Sequence, residues 1–212
     1  MKIINNLKNK LLRTLKWLKL AKNNFNEPIP VYTKNLDGIK VHLGAGEINL
    51  QGWINIDANK KSHTHIIDQD FELNNFSDEA LSEVYLCHVL EHFSFNDSAI
   101  LINKIYKKLK KGGIIRISVP DFEKISEIYN LDRKLQLVKY ALMGGQNDKY
   151  DFHKSIYDYE VLRNLLKNSN FNNIAIWDHN DFGVKIGDWS EGQYKVGNKK
   201  ISISLNLKGM KS

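Results

Sequence analysis

Residues 41–57 read VHLGAGEINLQGWINID: a short apolar run, two glycines one residue apart, then a second apolar run closed by Asp57. A Gly-x-Gly turn behind a strand lets the backbone approach a ligand with no Cβ between them. A carboxylate at the end of the next strand offers acceptor-only oxygens, suited to a pair of hydroxyl donors. The dinucleotide fingerprint asks for a third glycine three residues after the second, and for its acid about 20 residues on. Here the third position is Asn49, and Asp57 follows Gly44 by only thirteen residues. The first crossover is therefore very short, and a nicotinamide cofactor is disfavoured.

Outward from this block, apolar runs and helical patterns alternate. IKVHL, WINID, THIID, SEVYLCH and IIRISVP read as buried parallel strands. NDSAILINKIYKKLKKGG reads as a helix that starts at Asn96 or Asp97, carries lysines at its negative end and stops at Gly112 and Gly113. A helical region to about Gly144, a loop and the helix YDYEVLRNLLKNS follow. FNNIAIWD and KKISISLNLKG then pair as a terminal hairpin across the polar segment 178–198. This order predicts an open α/β sheet with ligands at the carboxyl ends of its strands.

The chain of 212 residues suits one α/β domain, 31–212, behind an arm and linker, 1–30, broken at Pro28 and Pro30. Residues 1–22 hold seven Lys or Arg and no acid, and the remainder has 24 basic against 24 acidic residues. The arm thus carries the whole excess of +7, and the neutral body argues against nucleic acid as partner. Cys87 is the only cysteine, so no intrachain disulfide forms and a cytoplasmic setting is expected. No signal-peptide pattern and no apolar run long enough to span a bilayer is seen.

Four blocks occur in order: LGAGEINLQGWINID, CHVLEHF, LKKGGIIRISVPDFE and GGQNDKYDFHKSIYD. Together, over residues 39–207, they resemble the class I S-adenosylmethionine-dependent methyltransferases, and most of all a bacterial subgroup often found among surface-polysaccharide genes. The short GxxxxxGWxNxD crossover is usual in that subgroup. The chain departs from it at Ala45, where Cys is more frequent, and at DFELNNF, which leaves the adenine contact less secure. The resemblance implies a Rossmann-like fold with a seven-stranded, mostly parallel sheet and S-adenosyl-L-methionine as cofactor. Leu43, Gly44, Ala45 and Gly46 would line its methionine moiety, and Asp57 its ribose. Asp70 and Phe71 would hold the adenine, and Cys87 and His88 would face the sulfonium.

Methyl transfer from a sulfonium needs in-line positioning above all, plus a base near neutral pKa where the acceptor is a hydroxyl. His88, His153 in YDFHK and Asp121 after SVP are the candidates, and Lys154 is placed to hold an anionic group. His88 and His92 in HVLEH share the spacing of a helix face, but the first Glu of the Glu-x-x-Glu-His metal-binding version is His88 here, so no metal is expected. His63 and His65 read as solvated. The expected activity is methylation at oxygen of a small or carbohydrate-linked acceptor. The alternatives are an RNA or protein methyltransferase gripping substrate with the basic arm, and a binding module without catalysis.

Ile3, Ile4, Leu7, Leu11, Leu15 and Leu18 form one stripe opposite a broad cationic face. Such a helix packs on its own domain or lies at the inner face of a membrane, where each Lys or Arg near an anionic leaflet contributes about 1 kcal/mol. The two fates separate in a sedimentation assay with anionic and neutral liposomes. If the arm is part of the core, removing residues 1–25 causes aggregation or loss of cofactor affinity. Salt-reversible pelleting of the full chain alone, beside a folded and active truncated form, would assign the arm to peripheral membrane contact.

Overall fold

The structure, a computed structural model, describes residues 38–182 and 186–212. The amphipathic arm and its Pro28–Pro30 boundary lie outside the described residues. The strands are β1 (Ile39–Leu43), β2 (Ile54–Asp57), β3 (Ile66–Ile67), β4 (Leu81–Cys87), β5 (Leu109–Pro120), β6 (Phe171–Ile176), β7 (Gln193–Val196), β8 (Lys199–Ser202) and β9 (Ser204–Lys211). The helices are α1 (Phe95–Lys108), α2 (Phe122–Asp132), α3 (Leu135–Met143) and α4 (Tyr159–Asn168). Seven strands form one sheet in the order β3-β2-β1-β4-β5-β9-β6, with β7 and β8 paired apart. β9 runs antiparallel to both β5 and β6, so the terminal antiparallel pair expected from the sequence is present.

The strands alternate instead of being apolar throughout. Val41 and Leu43, Ile54 and Ile56, Val84 and Leu86, and Ile115 and Ile117 point to one face, where Leu101, Ile102 and Ile105 of α1 and Leu162 and Leu166 of α4 complete the main core. The residues between them, His42, Asn55, Tyr85 and Arg116, are buried as well. Their face is covered by Leu50, Trp53, Trp177 and Ile186. No helix lies between β1 and β3. The short crossover therefore covers this face with loop and aromatic side chains. Trp53 is the GW tryptophan, and its ring stands 6.3 Å from that of Tyr85.

Three boundaries differ from expectation. Ser94, not Asn96 or Asp97, caps α1 by accepting from the Asp97 N–H. That helix ends at Lys108, and Gly112 and Gly113 lie within β5, pairing resuming at Ile114 against Glu83. KKISISLNLKG divides into two strands at Ile203, β8 turning away to pair with β7. That hairpin packs Ile201 against Ile125 and Ile128 of α2 and Val138 of α3, a lobe beyond the carboxyl ends of the sheet.

Gly44 has φ of 71°, and a Cβ there would stand 2.2 Å from Cγ2 of Val89. Backbone strain and overlap with a buried side chain act together. Gly44→Ala is expected to lower unfolding stability by about 2–4 kcal/mol, measured by urea titration. A loss below about 0.5 kcal/mol would show that the turn relaxes freely.

Candidate active site

An open cleft of about 800 Å³ lies at the carboxyl ends of β1 and β4. Its floor is the β1–β2 turn, where the N–H groups of Gly44 and Ala45 both donate to the Ile56 carbonyl, at 2.8 and 3.0 Å. Asp57 extends the clamp: its Oδ2 accepts from the Gly46 N–H and its Oδ1 from the Asn59 N–H, both at 2.8 Å. Each carboxylate oxygen keeps acceptor capacity beyond these bonds. A Cβ built on Gly46 meets nothing within 4 Å, so the turn faces open space.

The Asn of the GWxNxD block is explained by its contacts. Asn55 Nδ2 donates to Asn49 at 2.9 Å, its Oδ1 lies 3.2 Å from His42 Nδ1, and its N–H donates to His65 Nδ1 at 2.9 Å. His63 and His65, expected in solvent, are buried, and His63 Nε2 lies 3.0 Å from the Gly46 carbonyl. His63 thus braces the turn, and His65 holds β2.

Cys87 and His88 end β4 and line the cleft. Burial pushes the Cys87 thiol well up, so it stays protonated near neutral pH. His88 has φ of 52°, a strained conformation for a residue other than glycine. Its Nε2 lies 2.8 Å from Ser204 Oγ, which itself donates to the Trp189 carbonyl at 2.7 Å. The Ser204 hydrogen being committed, His88 Nε2 carries the proton and Nδ1 the lone pair. That Nδ1 stands 3.5 Å from Oε1 of Glu91.

His153 arrives from the loop after α3. This loop is held tightly, because a Cβ on Gly144 would stand 2.2 Å from the Asp151 carbonyl. The Glu91 carbonyl accepts from the N–H groups of Lys154 and Ser155. Tyr157 adds a buried relay, its hydroxyl donating to Ser98, which donates to the Leu90 carbonyl. His153 Nδ1 lies 3.0 Å from the Ala141 carbonyl and His92 Nδ1 lies 3.3 Å from that of Phe152. A carbonyl only accepts, so both Nδ1 atoms carry hydrogen, and the neutral His153 ring keeps a bare Nε2. His153 Nε2 is 3.9 Å from Glu91 Oε1. Burial lowers His88 and His153 to about 4 and raises the fully enclosed Glu91 to about 8.

Of the sequence candidates, Gly44, Ala45, Gly46, Cys87, His88 and His153 line one cleft. Four others do not. Leu43 is wholly buried in the main core. Phe71 is buried there too, its ring 6.0 Å from Phe93. Asp70 is exposed on the loop after β3. Asp121 caps α2 by accepting from the Glu123 N–H and does not line the cleft. Lys154 is exposed at the loop surface. The sequence reading missed His42, Asp188 and Trp189. Asp188 accepts from the Tyr85 hydroxyl at 2.6 Å, and the Trp189 ring lies 6.2 Å from that of His88. Both come from the polar segment 178–198, which has no periodicity to mark it.

Comparison with known proteins gives no matching family model and no matching curated protein. Solved structures do match. A methyltransferase of Thermotoga maritima, described as S-adenosylmethionine-dependent and a possible histamine N-methyltransferase, superimposes with a TM-score of 0.53 at 14% identity, over 100% of this chain and 97% of that one. An S-adenosylmethionine-dependent methyltransferase of Archaeoglobus fulgidus gives 0.51 at 14% identity, over 98% and 99%. One from Methanosarcina mazei gives 0.51 at 12% identity, over 82% and 93%. The chain has the class I methyltransferase fold. Among the described residues no helix is long and apolar enough to cross a membrane.

The buried His42 gives the site a measurable acid response. Burial, opposed in part by its bond to Asn55, lowers it from 6.5 to about 4. The folded state then binds fewer protons than the unfolded chain between these values, so stability is lost as pH falls through that window. At about 1.4 kcal/mol per unit, His42 accounts for roughly 3 kcal/mol of that loss. His42→Gln keeps a donor for Asn55, and its urea midpoint is expected to fall less than the parent's between pH 6.5 and pH 4.5. Parallel curves for the two proteins would contradict this role.

Proposed function

We propose that the protein is an S-adenosyl-L-methionine-dependent methyltransferase acting at an oxygen of a small or carbohydrate-linked acceptor. The observation that carries the reading is the joining of two half-sites in one cleft of this fold. The open Gly44–Gly46 turn clamped to Asp57 lies at one end, and His88 and His153, which flank the enclosed Glu91, line the other. The cleft volume lies within the usual range for small-molecule and cofactor sites. The residues fit the cofactor: Asp57 retains acceptor capacity for ribose hydroxyls, and the turn has no side chain in the way of the methionine end. When bound, the cofactor supplies a methyl group on a sulfonium, which passes to the acceptor oxygen as the carbon–sulfur bond breaks and its electron pair returns to sulfur.

The chain's own residues supply position and proton handling. Cys87 and His88 set the edge between cofactor and acceptor. The acceptor's proton passes to the bare Nδ1 of His88. Trp189 at the rim, 60% exposed, offers a flat apolar surface to a sugar ring or an aromatic acceptor. Preference for a carbohydrate-linked acceptor and a place in polysaccharide biosynthesis rest on the motif resemblance.

Differential scanning fluorimetry with S-adenosylhomocysteine tests the cofactor. Ligand at about 100 times its Kd adds roughly 2.7 kcal/mol, a rise on the order of 5–10 °C for a chain of this size. Asp57→Asn is expected to lose most of that rise. Its unliganded melt also falls, because Asp57 holds the Gly46 N–H, so the ligand-induced shift is the diagnostic quantity. An equal shift with NAD, or none with S-adenosylhomocysteine, would overturn the assignment.

A further inference from the structure

Glu91 is 1% exposed, and neither of its carboxylate oxygens has a hydrogen-bond partner. An unpaired buried carboxyl group is costly, and native structures seldom tolerate one without an occupant. Its neighbours cannot relieve it. His88 Nδ1 and His153 Nε2 approach at 3.5 and 3.9 Å, and the bonds at the far side of each ring leave both bare in the neutral state. His92 joins them, its ring 4.8 Å from that of His153 and nearly perpendicular to it. Glu91, His92 and His153 each present a ligand atom, all within 4.8 Å of one another. Acceptors outnumber donors here, a neutral Glu91 carboxyl group carrying a single O–H.

We propose that Glu91, His92 and His153 bind a divalent transition-metal ion at the acceptor end of the cleft, with His88 beside it. A single proton would satisfy one of these contacts; a dication satisfies the Glu91, His92 and His153 ligand atoms together. Metal-bound histidines usually donate their other N–H to a carbonyl or carboxylate, and His92 and His153 have carbonyls so placed, those of Phe152 and Ala141. Two imidazoles and one carboxylate suit zinc, cobalt or manganese better than magnesium or calcium, which prefer all-oxygen sites. Metal–nitrogen bonds of about 2.1 Å place ligand atoms roughly 3–3.5 Å apart, so the cluster closes by up to about 1.5 Å around the ion. His92 and His153 line the cleft, so the remaining coordination positions open toward it. There the ion would polarise an acceptor oxygen. That role rests on the methyl-transfer reading, whereas the binding of the ion does not.

The test uses the full chain, freed of metal by chelator dialysis, titrated calorimetrically with zinc, cobalt, manganese and magnesium chlorides. One equivalent of a transition metal is expected to bind, with magnesium at least about 100-fold weaker. Cobalt should also give a visible absorption band reporting nitrogen and oxygen ligands. Glu91→Gln fills the same volume and is expected to weaken binding by at least about 100-fold with the far-ultraviolet dichroism unchanged. His92→Gln, at a less buried position, repeats the test should Glu91→Gln fail to fold. Two results would overturn the proposal: no transition-metal binding by the parent chain, or stoichiometric binding that survives both substitutions. Since S-adenosylhomocysteine binding is measured separately, failure of the metal site leaves the cofactor assignment standing, and the reverse.

Discussion

Three successive N–H groups, those of Gly44, Ala45 and Gly46, all donate to the end of β2, two to the Ile56 carbonyl and one to Asp57. This clamp closes the first crossover without a helix. Gly44 must be glycine because Val89 fills the space a Cβ would need. Asp57 must be an acceptor at a strand end because Gly46 donates to it. The clamp also sets the character of the second sheet face, where loop and aromatic side chains replace a packed helix. With the turn folded back over β2, the cleft stays open above β1 and β4.

The other end of the cleft is built by a separate device. The Leu90–His92 turn and the loop ending at His153 are tied through the Glu91 carbonyl and the Tyr157–Ser98 relay. These bonds hold three imidazoles around one enclosed carboxyl group. The backbone satisfies its own polar groups here, while the Glu91 carboxylate is left to whatever enters from the cleft. This contrast separates a packing residue from a ligand.

Much of the fold was legible because hydrophobic spacing and glycine placement act locally. Sheet class, the short crossover and the terminal antiparallel pair all follow from runs of residues contiguous in the chain. The split of the last strand at Ile203 was not legible, since both halves have the same β-forming composition and only the contact with α2 and α3 separates them. The tight Gly44–Gly46 turn and the nearby Asp57 were visible through their spacing. His153 was visible as a loop histidine, but its meeting with Glu91 joins segments 62 residues apart, beyond any local pattern. His63 and His65 were misread because a polar stretch between short strands looks solvated, and their bonds to Gly46 and Asn55 depend on the fold already being made. The capping bond of Asp121 was not legible because a helix cap and a catalytic acid look alike in sequence.

The central claim is that an adenosyl cofactor lies across the clamp with its sulfur beside the imidazole cluster. A crystal structure with S-adenosylhomocysteine tests it most directly. The account predicts the ribose hydroxyls on Asp57, the amino-acid end against Gly44–Gly46, and the sulfur facing Cys87 and His88. The ligand bound elsewhere, or reversed with its adenine over His88, would contradict it.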